Sequence, residues 1–244
     1  MVSKDIGTVN VFCVKVGNKY GPEYVNRLWE MYRRNSNHPF FFNVITDDVR
    51  GINVPFTHRE IIDPSLEGYW AKLHLFYPYQ TFPGTSIYFD LDTVIQNNFD
   101  DWLENVDDTL RGVYTYWHPL WTQDDLPPMF CWKTPFNSSI LVWKHENFQW
   151  VWDNFQADKD FFICKYYGDD KFLGNEVKPL SYFPKGEVYS RLYGMGKPST
   201  AAIEVVRIEP ETSQELWRLD SAKVCMFNGP TTESFYQNME HYWA

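Results

Sequence analysis

Asp90 and Asp92 stand one residue apart at the end of an apolar run, Ser86-Ile87-Tyr88-Phe89-Asp90-Leu91-Asp92-Thr93. On a β-strand, residues two apart point to the same side, so this spacing aims both carboxylates at one point. Two like charges held close in a dry site repel strongly, and a bound cation relieves the repulsion. Mg²⁺ and Mn²⁺ take oxygen ligands and are commonly held by one or two carboxylates together with substrate phosphates. An acidic pair alone is weak grounds, since such pairs arise often by chance. The apolar residues ahead of this one sharpen it, because a solvated acidic face would not follow them. Pro83-Gly84 breaks the chain just upstream, which makes Ile87–Leu91 a short buried strand. Open α/β sheets bind ligands at the carboxyl edge of their strands.

Other elements must bring that edge together. Thr8–Val14 reads as a first strand. Pro22 suits the first turn of a helix running to about Asn35, with Val25, Leu28, Trp29 and Tyr32 on one face. Phe40–Thr46 reads as a second strand, ending in Asp47-Asp48, and Leu66–Tyr79 as a helix with Trp70, Leu73, His74 and Tyr77 on one face. Strand, helix, strand, helix, strand is the order of a doubly wound α/β half. Downstream, Phe99–Leu103 predicts a short helix, Arg111–Trp117 and Asn137–Val142 strands, Phe148–Phe155 and Asp169–Glu176 helices, and Val224–Phe227 a late strand before a closing aromatic helix. The span His118–Pro135 reads as a long loop of the kind that covers sites, and 180–220 as irregular. No boundary divides the chain, which is expected to be one domain over 1–244.

Composition narrows the partners. With 22 basic and 32 acidic residues the net charge is −10, and no basic stripe suits nucleic acid. A phosphate-bearing ligand is compatible only if a cation neutralises the site. Aromatics make up 19% of the 244 residues, with 11 Trp and 16 Tyr, rings whose flat faces suit sugars. Cys13, Cys131, Cys164 and Cys225 lack the spacing of a zinc site or redox pair and are expected to be buried free thiols. The N-terminal residues carry no signal-peptide core, and no span is long enough for a membrane helix, so a cytoplasmic protein is expected.

Several segments together resemble one family. Tyr69-Trp70-Ala71-Lys72-Leu73 precedes Ile87-Tyr88-Phe89-Asp90-Leu91-Asp92-Thr93, and Asn98-Phe99-Asp100 with Leu103 completes a block similar to that of GT-A fold glycosyltransferases of the glycogenin and galactinol-synthase type, family 8. Phe136-Asn137-Ser138-Ser139 resembles that family's Phe-Asn-Ser/Ala-Gly strand. Gly168-Asp169-Asp170-Lys171-Phe172-Leu173 resembles its Asp-Gln-x-x-Leu helix start, and Val224–Pro230 its late Phe-His-Gly segment. The resemblance implies a single Rossmann-like α/β domain with a mixed, mainly parallel sheet and helices on both faces. It implies transfer of a sugar from a nucleotide-sugar donor, a UDP-sugar, to a carbohydrate or glycoprotein acceptor with retention, dependent on Mn²⁺ or Mg²⁺.

Carried residue by residue, the resemblance makes Asp90, Asp92 and Asn228 the metal ligands. Val14, Lys15, Val16, Asp47, Lys72, Asp90 and Gly229 become donor-binding residues, and Asn137, Asp169 and Asp170 face the reacting sugar. Two positions depart from the family. The late histidine falls on Asn228, or on Met226 in a shifted register, and Thr231-Thr232-Glu233 follow where a diphosphate-binding lysine is usual. Arg191, Lys185 or Lys197 could supply that missing charge. The family's glutamine is Asp170. A nucleotide-sugar-binding protein with weak or lost turnover therefore stays open, as does a carbohydrate-binding module. Asp169 also reads as a helix N-cap, and Asp47 as a turn former. His118, Trp117, Trp121 and Trp132 could line an acceptor site or anchor the loop.

Overall fold

The computed structural model describes residues 6–79, 83–116, 134–191, 194, 206–208 and 216–227. In chain order the strands and α-helices are β1 (Val9–Lys15), α1 (Pro22–Asn35), β2 (Phe40–Thr46), β3 (Thr57–Arg59), β4 (Thr85–Phe89), β5 (Thr93–Ile95), α2 (Asp100–Glu104), β6 (Leu110–Tyr114), β7 (Phe136–Lys144), α3 (Trp150–Ala157), α4 (Lys159–Lys165), α5 (Asp169–Glu176), β8 (Leu180–Tyr182), β9 (Val188–Ser190), β10 (Val206–Ile208), β11 (Leu216–Arg218) and β12 (Val224–Met226).

Seven strands form the main sheet in the order β3-β2-β1-β4-β7-β6-β8. All neighbours run parallel except β7, which is antiparallel to β4 and β6. From β1 the chain winds outward to β2 and β3, then returns to lay β4 on the other side of β1. The order therefore reverses between β1 and β4, the point where an open α/β sheet leaves a crevice beyond its carboxyl ends. A second, three-stranded sheet, β5-β12-β9, hangs from the residues just after β4.

Alternation along β1 divides the core in two. Val9, Val11 and Cys13 pack with Val25, Leu28, Met31 and Tyr32 of α1, while Phe12 packs on the other face with Trp70, Leu73, Phe155 and Phe172. Each apolar side chain fully buried in this way is worth about 2 kcal/mol. Pro22 opens α1, and Glu23 in its first turn and Arg33 and Arg34 in its last complement the helix dipole. Met31, rather than Trp29, completes the buried stripe. Trp29 sits at the rim against Phe40, ring centroids 6.2 Å apart.

Three expectations need correction. The helix read over Leu66–Tyr79 is a 3-10 helix confined to Gly68–Phe76, and every residue from Trp70 to Phe76 is buried; burial all round leaves no face for a helical period to mark. The stretch 180–220 contains β8, β9, β10 and β11, each three residues long, too short to show alternation. Cys13 and Cys225 are buried thiols, but Cys164 is exposed. Among the described residues no helix is long and apolar enough to cross a membrane.

Candidate active site

The strand carrying the acidic pair stops at Phe89, so Asp90 and Asp92 do not share a face by strand alternation. Asp90 keeps one link to β7, its N–H donating to Ser139 O at 2.8 Å. The chain then turns: Thr93 Oγ1 donates to Asp90 O at 2.7 Å and Thr93 N to the same oxygen at 3.2 Å. This turn brings both carboxylates to one cavity of about 290 Å³ at the reversal between β1 and β4, with Val14, Val16, Lys19, Tyr20, Lys72 and Tyr88 in its wall. Phe227 N donates to Asp92 O at 2.8 Å, tying β12 to the same turn.

A second cavity of about 300 Å³ adjoins the first and shares Tyr69, Lys72 and Asp90 with it. Asn137, Ser139, Tyr167, Gly168, Asp169, Asp170 and Lys171 complete its lining. Gly168 turns the chain into α5 at φ 153°, and a Cβ there would meet the Tyr69 ring at 3.4 Å, so glycine alone enters this helix without strain. Asp169 and Asp170 then occupy the first turn, where the helix dipole favours negative charge. Neither caps the helix; Gly168 is the N-cap, without a side-chain bond. Their carboxylates reach β7 instead. Ser138 N donates to Asp170 Oδ1 at 2.6 Å and Asn137 Nδ2 to Asp170 Oδ2 at 3.1 Å, while Ser138 Oγ donates to Asp169 Oδ2.

Lys72 stands between the cavities. Its ammonium lies 3.1 Å from Asp90 Oδ1 and 3.2 Å from Asp169 Oδ2 and donates to Ser138 Oγ at 2.7 Å. Burial alone would lower its pKa, but Asp169 and Asp90 outweigh that and hold it charged. Tyr88 donates to Asp90 Oδ1 from below, and burial with the adjacent carboxylate drives its phenol well above the ordinary range. Asp92 accepts from Tyr20 OH at 2.6 Å. Burial first, and then Asp90, push the Asp92 carboxyl up to about 6.

The sequence-read residues divide accordingly. Val14 and Val16 line the first cavity, but Lys15 between them lies on the opposite face and does not. It sits buried near Asp48, whose carboxyl is held low chiefly by Arg50 and in smaller part by Lys15. Asp47 is exposed and outside the cavity wall; its Oδ2 accepts from Gly17 N at 3.0 Å, steadying the loop after β1. Lys72, Asp90 and Asp92 meet at the first cavity, and Asn137, Asp169 and Asp170 at the second. Asn228, Gly229, Trp117, His118, Trp121, Trp132 and Lys197 lie outside the described residues. Met226 is buried in the apolar core, paired with Thr93 of β5, and lines neither cavity. Sequence reading gave no site role to Tyr20, Tyr88, Ser138 or Lys171, although the last three stand in the segments that carry the family resemblance; each reaches the site from a different element.

Charge tests whether a cation fits. Asp90, Asp92, Asp169 and Asp170 converge on cavities whose facing cations are Lys19, Lys72 and Lys171, and Lys72 is already engaged by Asp90 and Asp169. Among the described residues no three His, Cys, Asp or Glu side chains gather as a ready metal cage. The donor set is therefore two carboxylates opening on a cleft. It fits an oxygen-loving divalent ion whose remaining ligands come from a bound phosphate or from beyond the described residues.

The chain path superposes on that of galactosyltransferase LgtC in complex with donor and acceptor sugar analogs, with TM-score 0.62 and 12% identity over 96% of this chain and 93% of that one. An active-site mutant of LgtC gives TM-score 0.63 and 13% identity, over 95% and 94%. The fold is GT-A. The glycosyltransferase GlyE of Streptococcus pneumoniae TIGR4 matches at TM-score 0.50 and 11% identity, over 74% of this chain and 46% of that one. No protein-family model matches the sequence, and no curated protein does. In this GT-A chain both cavities open at the carboxyl ends of the central strands.

Proposed function

We propose that this chain is a metal-dependent glycosyltransferase that moves a sugar from a UDP-sugar to a carbohydrate or glycoprotein acceptor with retention. The observation that carries the reading is the meeting of Asp90 and Asp92 on one cavity at the order reversal of a GT-A sheet. Val14 and Val16 offer that cavity an apolar wall for the nucleoside. Asp90 and Asp92 would hold Mn²⁺ or Mg²⁺; the family resemblance adds Asn228 as a further ligand and Gly229 to the donor-binding set, both outside the described residues. When bound, the ion acts as a Lewis acid on the departing diphosphate. Lys72, held charged at the wall between the cavities, opposes the negative charge that grows there.

In the second cavity Asp169 and Asn137 bind hydroxyls of the reacting sugar, where an unmatched polar group discriminates strongly between sugars. Asp170, fixed by Ser138 and Asn137, presents negative charge to the cationic centre that develops at C1. No residue is assigned as a covalent nucleophile. Tyr69 and Tyr167, 50% and 76% exposed with ring centroids 6.4 Å apart, flank this cavity with flat faces suited to an acceptor sugar.

The test is incubation with Mn²⁺ and a panel of nucleotide sugars, measuring free nucleotide released. Wild type releases UDP, and Asp92→Ala lowers the rate by roughly a thousandfold with its circular dichroism unchanged. Full activity of Asp92→Ala, or of wild type in excess chelator, overturns the mechanism. Metal-dependent UDP binding without release would favour a binding protein instead, the reading that Thr231-Thr232-Glu233 in place of a lysine supports.

A further inference from the structure

Ser138 lines neither cavity, yet it touches three charged groups that do. It is fully buried in β7. Its hydroxyl has one proton and two lone pairs, and both bonds have a forced direction. An ammonium can only donate, so Oγ accepts from Lys72 Nζ at 2.7 Å; a carboxylate can only accept, so the same hydroxyl donates to Asp169 Oδ2. The Ser138 amide donates to Asp170 Oδ1 at 2.6 Å. Its neighbours are pinned as well: Ser139 O accepts from Asp90 N at 2.8 Å, and Asn137 Oδ1 accepts from Ser139 N at 3.0 Å. One strand residue therefore sets the 3-10 helix carrying Lys72 and the first turn of α5 in register with each other.

We infer that Ser138 is a positioning residue for the transfer step, orienting Lys72 and Asp169 through its hydroxyl while nucleotide binding runs through Asp90 and Asp92. This rests on the transferase reading above. Loss of the bridge leaves Asp90 and Asp92 in place but loosens Lys72 and Asp169 on the side of the reacting sugar, and misplacement by about 1 Å can cost on the order of a hundredfold in rate. The effect falls chiefly on kcat, because Asp90 still holds Lys72 from the nucleotide side at 3.1 Å.

Three substitutions separate positioning from packing. Ser138→Ala removes the donor at nearly constant volume; Ser138→Cys keeps a donor but a weaker one, on a larger atom; Ser138→Thr keeps a hydroxyl. Ala and Cys are expected to lower kcat by about 30-fold or more, with the Kd for UDP in Mn²⁺ unchanged within about twofold, and Thr to recover most of the loss. Full kcat in the Cys variant overturns the inference, as does a rise in the UDP Kd that parallels the fall in kcat. A readout independent of turnover accompanies these: the ¹⁵N ammonium resonance of Lys72, protected by its three partners. It is expected in wild type and Ser138→Thr and lost in Ser138→Ala and Ser138→Cys. If wild type releases nucleotide from no donor, the transferase reading fails by itself. The ammonium resonance then decides whether Ser138 organises Lys72, and an unchanged resonance in Ser138→Cys overturns that role.

Discussion

Asp92 in the first cavity and Asp169 in the second are both acids set into low-dielectric walls, but their surroundings differ. Asp169 has two internal partners on one oxygen, Oδ2: Lys72 at 3.2 Å and the Ser138 hydroxyl. Burial pushes its carboxyl up to about 6, as it does that of Asp92, with Lys72 working against the rise; the compensation shows on Lys72, which Asp169 and Asp90 hold charged. Asp92 has a neutral phenol, Tyr20, at 2.6 Å, and Asp90 adds repulsion to the cost of burial. Among the described residues no lysine or arginine lies within ion-pair distance of Asp92. A charge compensated from within is part of the wall, whereas a charge left short of a counterion awaits one from the ligand. On the proposed reading the first cavity would receive positive charge with its ligand, while the second presents a fixed arrangement of charge.

Replacing each acid by its amide should break that contrast in opposite directions. Asp169→Asn leaves the buried Lys72 ammonium with Asp90 alone and is expected to destabilise the fold by about 2 kcal/mol, since removing one partner of a buried ion pair strands the other. A urea midpoint at or above that of wild type would contradict the internal pairing.

Asp92→Asn should do the reverse in metal-free protein. A carboxyl whose folded pKa is about 6 against an unfolded value of about 3.9 binds more protons when folded between those pH values. Stability contributed by Asp92 is therefore present below about pH 4, is lost as pH rises through 6, and stays lost above. The amide escapes this loss. Asp92 is only partly buried, so the expected gain is about 1 kcal/mol at pH 8, fading to none at pH 4. Thermal unfolding at the two pH values checks it, and a gain independent of pH would show that charge is not the cause.

The smallest expected effect sharpens the comparison. Tyr20→Phe frees the Asp92 oxygen that the phenol occupies. At pH 8, where Asp92 is ionised, Mn²⁺ should bind in the presence of UDP about threefold more tightly, the scale of one hydrogen bond to a charged group in partial competition with water. Calorimetric titration measures it, and an unchanged affinity would mean that the phenol and the ion do not compete for that oxygen.

Much of this was legible in the residues. Val9–Lys15, Pro22–Asn35, Phe40–Thr46 and Asp169–Glu176 stand within a residue or two of where apolar runs and breakers put them, because each buries an apolar face or run long enough to leave a pattern. The Asp90–Asp92 pair was found for a reason that holds only in part: both acids do meet, through the turn closed by Thr93, not through strand alternation. At the end of β1 the three residues read together divide: Val14 and Val16 line the first cavity and Lys15 does not. The Gly68–Phe76 helix lost its period because it is buried on all sides.

From the order of its strands and helices, its acidic pair and its deficit of basic residues, the chain alone dictated an α/β sheet with carboxylates at its ligand edge. These are local properties, written in runs of a few residues and in composition. Only the folded molecule decided which acids are compensated. Lys72, Ser138 and Asp169 come from a 3-10 helix, a strand and an α-helix separated by up to 97 positions (169 − 72), and Tyr20 meets Asp92 across 72. Electrostatic compensation depends on distances of about 3 Å, and long-range packing, not spacing along the chain, sets those distances.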